Sequence, residues 1–397
     1  MLEGFITFWV NGVLTCLVVV CGIFLNSISI HIIWKKYNKN SIFYQMLLRL
    51  LCIDICVLVT WFAFSLNAAF KVDDTIMLNI IAYAIYPTIH IALSASTFMT
   101  IAISHERYLA VKYPIKYTED MRTPHVLTRR LRNYTIIVFF SSVIYNLTYF
   151  FEVEVRYVNL SNPSDTKVLS GNKTEQAENT GAIGAILEQT IYSHQNGSYY
   201  SGAHLDRTEL GKNEYYLKYY MFWTRLVISG MIPFCLLTYF NIEIFRAIKK
   251  NNRLRRRLTL SQPLSRLLSV QSAGCESVDS GFSNATNSFS VASSIASVRR
   301  KEEDNLSMVF VVMVAAFLFC NSLKFGLNFY DGIVGRTQAE EWYRIISSFS
   351  NLLVLINSAM NMIIYCIINR KFRKHLIELM ANLIPTKKVP KVSSRSI

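Results

Sequence analysis

The sequence predicts an all-α integral membrane protein, a bundle of seven transmembrane helices followed by a short amphipathic eighth helix. Three observations carry that expectation. Apolar residues make up 52% of the 397 residues against 17% charged, with 25 Phe and 22 Tyr, a balance that suits lipid as the solvent. The apolar content falls in seven blocks, each long enough to cross a hydrocarbon core, which takes about 20 residues as helix. Lys and Arg, finally, collect in particular connections between the blocks.

The blocks run roughly over 8–34, 42–69, 77–109, 133–152, 216–247, 305–330 and 343–368. A backbone crossing lipid finds no water to bond, so each is expected to be helical. A short N-terminal segment, 1–7, precedes them. The first block lacks the basic flank, short apolar core and small-residue cleavage site of a signal peptide, and it ends in Lys35-Lys36, so it reads as a retained anchor. The whole bundle spans 8–381, with the eighth helix over about 369–381 and a tail over 382–397.

Connections 35–41, 110–132 and 248–304 and the tail after 368 hold most of the basic residues, among them Arg253, Arg255-Arg256-Arg257, Arg299-Arg300-Lys301 and Lys371. Connections 70–76, 153–215 and 331–342 hold few. The positive-inside bias therefore places the N-terminus outside the cell and the C-terminus in the cytoplasm of a multi-pass plasma-membrane protein. A formal charge of +15 would suit a nucleic-acid binder. Its placement at the cytoplasmic mouth, with Lys249, Lys250, Arg253, Arg370 and Arg373, points to membrane lipid and acidic partner surfaces and away from nucleic acid.

Connection 153–215 is long and carries the glycosylation sequons Asn159-Leu-Ser, Asn172-Lys-Thr and Asn196-Gly-Ser, as an extracellular loop would. Three further sequons, at Asn146, Asn284 and Asn305, fall within a span or on the cytoplasmic side and are expected to be unused. Connection 248–304 starts basic and turns Ser-rich, with too few large apolar residues for a core, so it reads as a disordered cytoplasmic loop open to phosphorylation or serving as a passive linker. The eight Cys show no CxxC or Cys/His spacing, so no metal site is expected.

Asp54 stands in the middle of the second span, where a charge costs about 3 kcal/mol on insertion scales. Such a residue faces the bundle interior among polar partners, and Asn26, Ser96, Asn357 and Asn361 are candidates by depth. Together they could form a pocket for a hydrated sodium ion near Asp54, or an inter-helix hydrogen-bond network with no ion. No other cofactor is expected.

The third span ends in His105-Glu106-Arg107-Tyr108-Leu109-Ala110-Val111-Lys112-Tyr113-Pro114. That string at this place, with Gly22-Ile-Phe-Leu-Asn26, Leu50 to Asp54, Pro233, Asn361-Met-Ile-Ile-Tyr365 and Arg370-Lys371-Phe372-Arg373 in order, resembles the rhodopsin-like (class A) G-protein-coupled receptors. Within that superfamily, Ile103 to Lys112, Asn146 to Glu152, Ile232 to Ile244 and Asn357 to Cys366 resemble invertebrate FMRFamide-type neuropeptide receptors. The resemblance implies an extracellular peptide ligand, a heterotrimeric G protein, and arrestin and receptor kinases as partners, and no enzymatic activity. It implies a switch of Glu106, Arg107, Tyr108, Asn361 and Tyr365, with Glu303 holding Arg107 at rest, and a packing switch of Thr97, Pro233 and Phe317. A peptide ending in amidated Arg-Phe calls for acidic and aromatic groups. Candidates at the outer ends of spans are Asp73, Asp74, Tyr83, Tyr86, Tyr149, Glu152, Glu154, Trp223 and Asp331.

The chain also departs from that pattern. No Cys occurs between Cys56 and Cys235, so the usual outer disulfide cannot form and the 153–215 loop is expected to be more mobile. Cys320-Asn321-Ser322-Leu323 replaces Cys-Trp-x-Pro, Met362 replaces the seventh-span Pro, and Asn241 stands where a fifth-span Tyr is common. An opsin would need a Lys near Leu355, and 345–368 contains none. A chemosensory or amine receptor of the same fold is the nearer alternative. A transporter or channel is the one from another class, though internal repeats are not evident.

Overall fold

The computed structural model describes residues 8–37, 41–70, 75–121, 123–159, 201–213, 215–250, 253, 307–330 and 341–383. Among the described residues, six helices are long and apolar enough to cross a membrane: α1 (Trp9–Lys36), α2 (Ile42–Leu66), α3 (Ile76–Lys112), α4 (Pro124–Phe151), α5 (Arg225–Lys250) and α6 (Ser307–Tyr330). The seventh span, α7, is a pair, Trp342–Ala359 and Asn361–Ile368, bent by 51°. The bend occurs at Met360 without the Pro that usually accompanies this sequence position. α8 (Arg370–Leu383) follows at once.

Proline sets several of these boundaries. Pro124 opens α4 well ahead of the apolar block, drawing Arg129, Arg130 and Arg132 onto the helix. Pro is tolerated there because the first-turn N–H has no helical partner anyway. In α3, Pro87 withdraws a donor, and the chain just before it, Ile81–Ile85, widens into a π turn. α8 is begun by Asn369, whose Oδ1 accepts from the backbone N–H of Lys371 (3.0 Å) and Phe372 (3.2 Å). Phe372 is then buried against Tyr365, with ring centroids 5.5 Å apart, which docks α8 on the bundle.

The interior divides into two apolar clusters. One, toward the Glu106-Arg107 end, includes Phe43, Leu47, Met99, Ile103, Leu131, Phe310, Phe317, Met362 and Tyr365. The other, toward the opposite end, includes Val57, Leu58, Trp61, Ile81, Ile89, Tyr149 and Leu355. Asp54 lies between them. At Gly22 the helices touch so closely that an added Cβ would come within 2.8 Å of the Ala359 Cβ and 2.9 Å of Leu58, so α1 meets α7 and α2 only because no side chain intervenes. Outward faces carry bare apolar groups, such as Phe24 on α1 and Ile137, Phe139 and Ile144 on α4, as lipid-facing helices require.

The sequence expectation contained no strands, yet both ends of the 153–215 connection are extended. β1 (Val153–Asn159) pairs antiparallel with β2 (Ser201–Arg207), Val153 opposite Arg207 and Asn159 opposite Ser201. Backbone pairing therefore ties the two ends of the loop together where the missing disulfide cannot.

Candidate functional site

The polar layer at mid-bundle assembles around Asp54, whose side chain is 2% exposed. Ser96 from α3 donates to Oδ1 (2.8 Å) and Asn361 from α7 donates to Oδ2 (2.7 Å), with the Ser358 hydroxyl beside them. Asn26 reaches the same place differently, donating from Nδ2 to the Ser358 carbonyl (2.8 Å) next to the α7 bend. Asn357, half-buried one turn away, makes no hydrogen bond to the carboxylate. Three helices are thus joined to one buried carboxylate, and the Asn26 Oδ1 remains unbonded within the layer.

At the α3 terminus, Glu106 is fully buried and its partners come from α4. Tyr134 donates to Oε2 (3.0 Å), and the Arg130 guanidinium lies 3.9 Å from Oε1. Tyr117, in the short helix Pro114–Asp120, lies near this carboxylate, and burial pushes its phenol up from the ordinary value. Since Tyr134 spends its one proton on Glu106, it must accept from Nδ1–H of His105, 3.0 Å away. Arg107 has no ion pair among the described residues. Its guanidinium sits 4.3 Å over the Phe43 ring, and its Nε, like the buried Tyr365 hydroxyl, has no hydrogen-bond partner. Tyr108 is half-exposed and receives a bond from Lys112 (2.5 Å). Glu303, expected to restrain Arg107, lies outside the described residues. Arg130, Tyr134 and Tyr117 were not anticipated from sequence, although a basic residue inside the fourth helix was a visible signal once Pro124 marked the true start.

Of the packing-switch residues, Thr97 bonds the Leu93 carbonyl of its own helix (3.1 Å), while Phe317 and Pro233 are buried in α6 and α5. The Phe317 carbonyl accepts from Asn321 (2.8 Å), the residue in the usual Trp position. Asn241 donates to the Val311 carbonyl (3.1 Å), tying α5 to α6.

The opposite end holds a second polar and aromatic cluster. Glu152, 4% exposed, accepts from Tyr86 (3.1 Å, Oε2) and Tyr216 (2.7 Å, Oε1), and Arg225 of α5 lies 3.7 Å away. Arg225 also covers the Tyr149 ring at 4.6 Å, and His90 stacks on the other side of that cluster, its centroid 3.8 Å from Tyr149. Tyr86 meets both rings edge-on. Glu152 is held by its backbone as well, since its carbonyl accepts from the Thr208 N–H (3.1 Å) and a Cβ on Gly211 would come within 2.5 Å of that oxygen. A narrow cleft, walled by Tyr145, Tyr149, Glu152, Tyr216, Tyr220 and Arg225, opens beside it.

The structure therefore unites Tyr86, Tyr149 and Glu152. It leaves Tyr83 and Trp223 exposed away from the cleft and pairs Glu154 with Arg156 (2.9 Å) on the hairpin. Asp73, Asp74 and Asp331 lie outside the described residues, as do Asn172 and Asn196, while Asn159 ends β1. Asn146 is buried, donating to Ser94 (2.9 Å) and the Ser142 carbonyl (2.7 Å), in keeping with a packed and not a glycosylated residue. His90, Tyr216, Arg225 and Lys324 were missed. Arg225 and Lys324 are intramembrane charges, the kind of residue that singled out Asp54.

A family model described as "7 transmembrane receptor (rhodopsin family)" matches residues 191–365. The FMRFamide receptor of Drosophila melanogaster is 25% identical over 376 residues, covering 93% of this chain and 53% of its own length. The FMRFamide peptide receptor frpr-18 of Caenorhabditis elegans is 22% identical over 376 residues, covering 92% of this chain and 68% of its own length. The chain thus spans about half the length of the fly relative.

Proposed function

We propose that the chain is a multi-pass rhodopsin-like (class A) receptor resembling FMRFamide receptors, which binds an amidated neuropeptide at its Glu152 end and activates a heterotrimeric G protein at its Arg107 end. The observation that carries the ligand half is the buried Glu152 carboxylate set among Tyr86, Tyr149 and Tyr216 in a cleft. A carboxylate with aromatic walls suits a guanidinium and a phenyl ring in one ligand. Arg225 then acts as a surrogate partner that holds Glu152 until a ligand cation competes for it.

On the other side, Arg107 rests on Phe43 with no carboxylate paired to it among the described residues, while Glu106 is occupied by Tyr134 and Arg130, so a small shift frees a guanidinium for a G-protein surface. A ligand drives that shift only by binding one arrangement of the bundle better than the other. The Asp54 layer, which touches α2, α3 and α7, is where a sodium ion would bias the same equilibrium. The basic connections favour the Arg107 end in the cytoplasm, with arrestin, receptor kinases and anionic lipid acting there, and sugars on Asn159, Asn172 and Asn196 outside.

The test is to express the chain in cells and screen amidated Arg-Phe peptides, FMRFamide included, for G-protein activation, with Arg107→Ala as control. Activation by such a peptide that Arg107→Ala abolishes is expected. Arg107-dependent activation by amines or lipids alone would overturn the peptide assignment.

A further inference from the structure

The first turns of α4 carry more positive charge than their neighbours neutralise. Pro124 starts the helix ahead of the apolar block, so three arginines lie on it, and they do not share a face. Arg130 turns inward, its guanidinium 3.9 Å from Glu106. Arg129 and Arg132 are exposed, and neither forms an ion pair among the described residues, although Glu119 and Asp120 stand shortly before the helix.

Helical spacing puts these two on the outward side. At 3.6 residues per turn, His125, Arg129, Arg132, Ile136, Phe139 and Phe140 fall in one sector of about 100°, and all six are exposed. Charge occupies the start of this stripe and apolar carbon the rest. Residues 133–151 rise about 30 Å, the thickness of a hydrocarbon core. Arg129 and Arg132 therefore lie at headgroup level, while Ile136 and the two phenyl rings lie among acyl chains. Arginines three residues apart on a helix have Cβ atoms about 5–6 Å from each other, close enough for both guanidiniums to hold one phosphate.

We propose that this face of α4 is a binding site for one anionic phospholipid, its headgroup held by Arg129 and Arg132 and its acyl chains lying along Ile136, Phe139 and Phe140. Two unpaired cations call for a net negative headgroup, since the choline of a zwitterionic lipid offsets its own phosphate. A second copy of the chain fits the stripe less well. A two-fold axis along the membrane normal would set Arg129 and Arg132 against the same residues of the partner, like charge facing like. The inference places the lipid in the cytoplasmic leaflet and so rests on the reading of the Arg107 end as the cytoplasmic one.

The test uses the purified full chain in phosphatidylcholine nanodiscs doped with phosphatidylserine or, in parallel, phosphatidylcholine that carries a photoactivatable acyl chain. Mass spectrometry of the labelled peptides gives the ratio of the two labels on residues 133–145. Phosphatidylserine should label that stretch at least about tenfold more than phosphatidylcholine. Arg129→Gln with Arg132→Gln should bring the ratio close to unity, and Arg129→Lys with Arg132→Lys should keep a clear preference. Arg373→Gln with Lys374→Gln, which removes the same charge from α8, should leave the α4 ratio unchanged, and this separates a site from a generally basic face. Equal labelling of α4 by the two lipids, an equal fall in the α8 variant, or α4 closed to both lipids by a second copy of the chain overturns the site. Nanodiscs expose both leaflets, so the ratio is read whichever way the chain faces in cells. A lipid preference at α4, with the α4 arginines reached from outside intact cells, would keep the site and refute the cytoplasmic assignment.

Discussion

Replacing Glu152 and Arg225 separately and together measures the interaction on which the ligand cleft turns. The charges lie 3.7 Å apart, with side-chain exposures of 5% and 32%. Coulomb's law at an effective dielectric constant near 20 gives about 4.5 kcal/mol at that distance. Solvent reaching Arg225 screens most of it, leaving about 1–2 kcal/mol. Glu152→Gln also halves the strength of the two phenol bonds, each worth about 1.5–3 kcal/mol to a charged acceptor, so its total cost is about 3 kcal/mol. Arg225→Gln loses the pair and a cation–π contact of about 1 kcal/mol, about 2–3 kcal/mol in all. The double variant should then be more stable than the sum by about 1–2 kcal/mol. Unfolding of purified protein in mixed detergent micelles measures all four corners of the cycle. Additivity within about 0.5 kcal/mol would refute the pairing.

Other perturbations follow the same logic. Gly22→Leu forces a side chain between α1 and Ala359 and should destabilise by about 1–3 kcal/mol, read as a lower unfolding midpoint and reduced surface expression. Asp54→Leu leaves the amide of Asn361 and the hydroxyl of Ser96 without their acceptor and should cost about 1–3 kcal/mol, whereas Asp54→Asn keeps an acceptor, folds, and loses any sodium dependence of ligand affinity. Tyr134→Phe deprives Glu106 of its main donor and lets it recapture Arg107, so peptide-stimulated G-protein activation should fall several-fold while ligand binding is unchanged. A rise in activation would contradict that direction of competition.

Much of the architecture was legible because lipid simplifies the code: apolar blocks of sufficient length must be helices, and Asp54 or Arg107 in such a block must turn inward. Asn26, Ser96 and Asn361 were found from depth alone, since mid-depth polar groups have only one another as partners, though Asn357 shows that depth does not fix rotation about the helix axis. The hairpin was written in Val153-Glu154-Val155-Arg156-Tyr157-Val158, a clear alternation of apolar and polar residues, but it was overshadowed by the length of the loop containing it. Of the Glu106 partners, Arg130 lies ahead of the 133–152 apolar block, because Pro124 and three arginines open α4, and Tyr134 stands inside that block with nothing in the sequence to set it apart from a packing aromatic. Arg225 sits near a helix end, where sequence cannot tell a side chain reaching for water from one turned into a cleft. The α7 bend without its Pro shows that a bend can persist where the residue usually associated with it is replaced by Met362.

The most direct measurement is ligand-stimulated nucleotide exchange on a heterotrimeric G protein by reconstituted receptor, comparing the unmodified chain with Glu152→Gln and Arg107→Ala in parallel with peptide binding. The expected result is a split: Glu152→Gln weakens peptide binding and shifts the dose response, while Arg107→Ala binds peptide normally and does not stimulate exchange. Exchange that survives Arg107→Ala, or peptide binding indifferent to Glu152→Gln, would contradict a ligand site at one end of the bundle acting on a switch at the other.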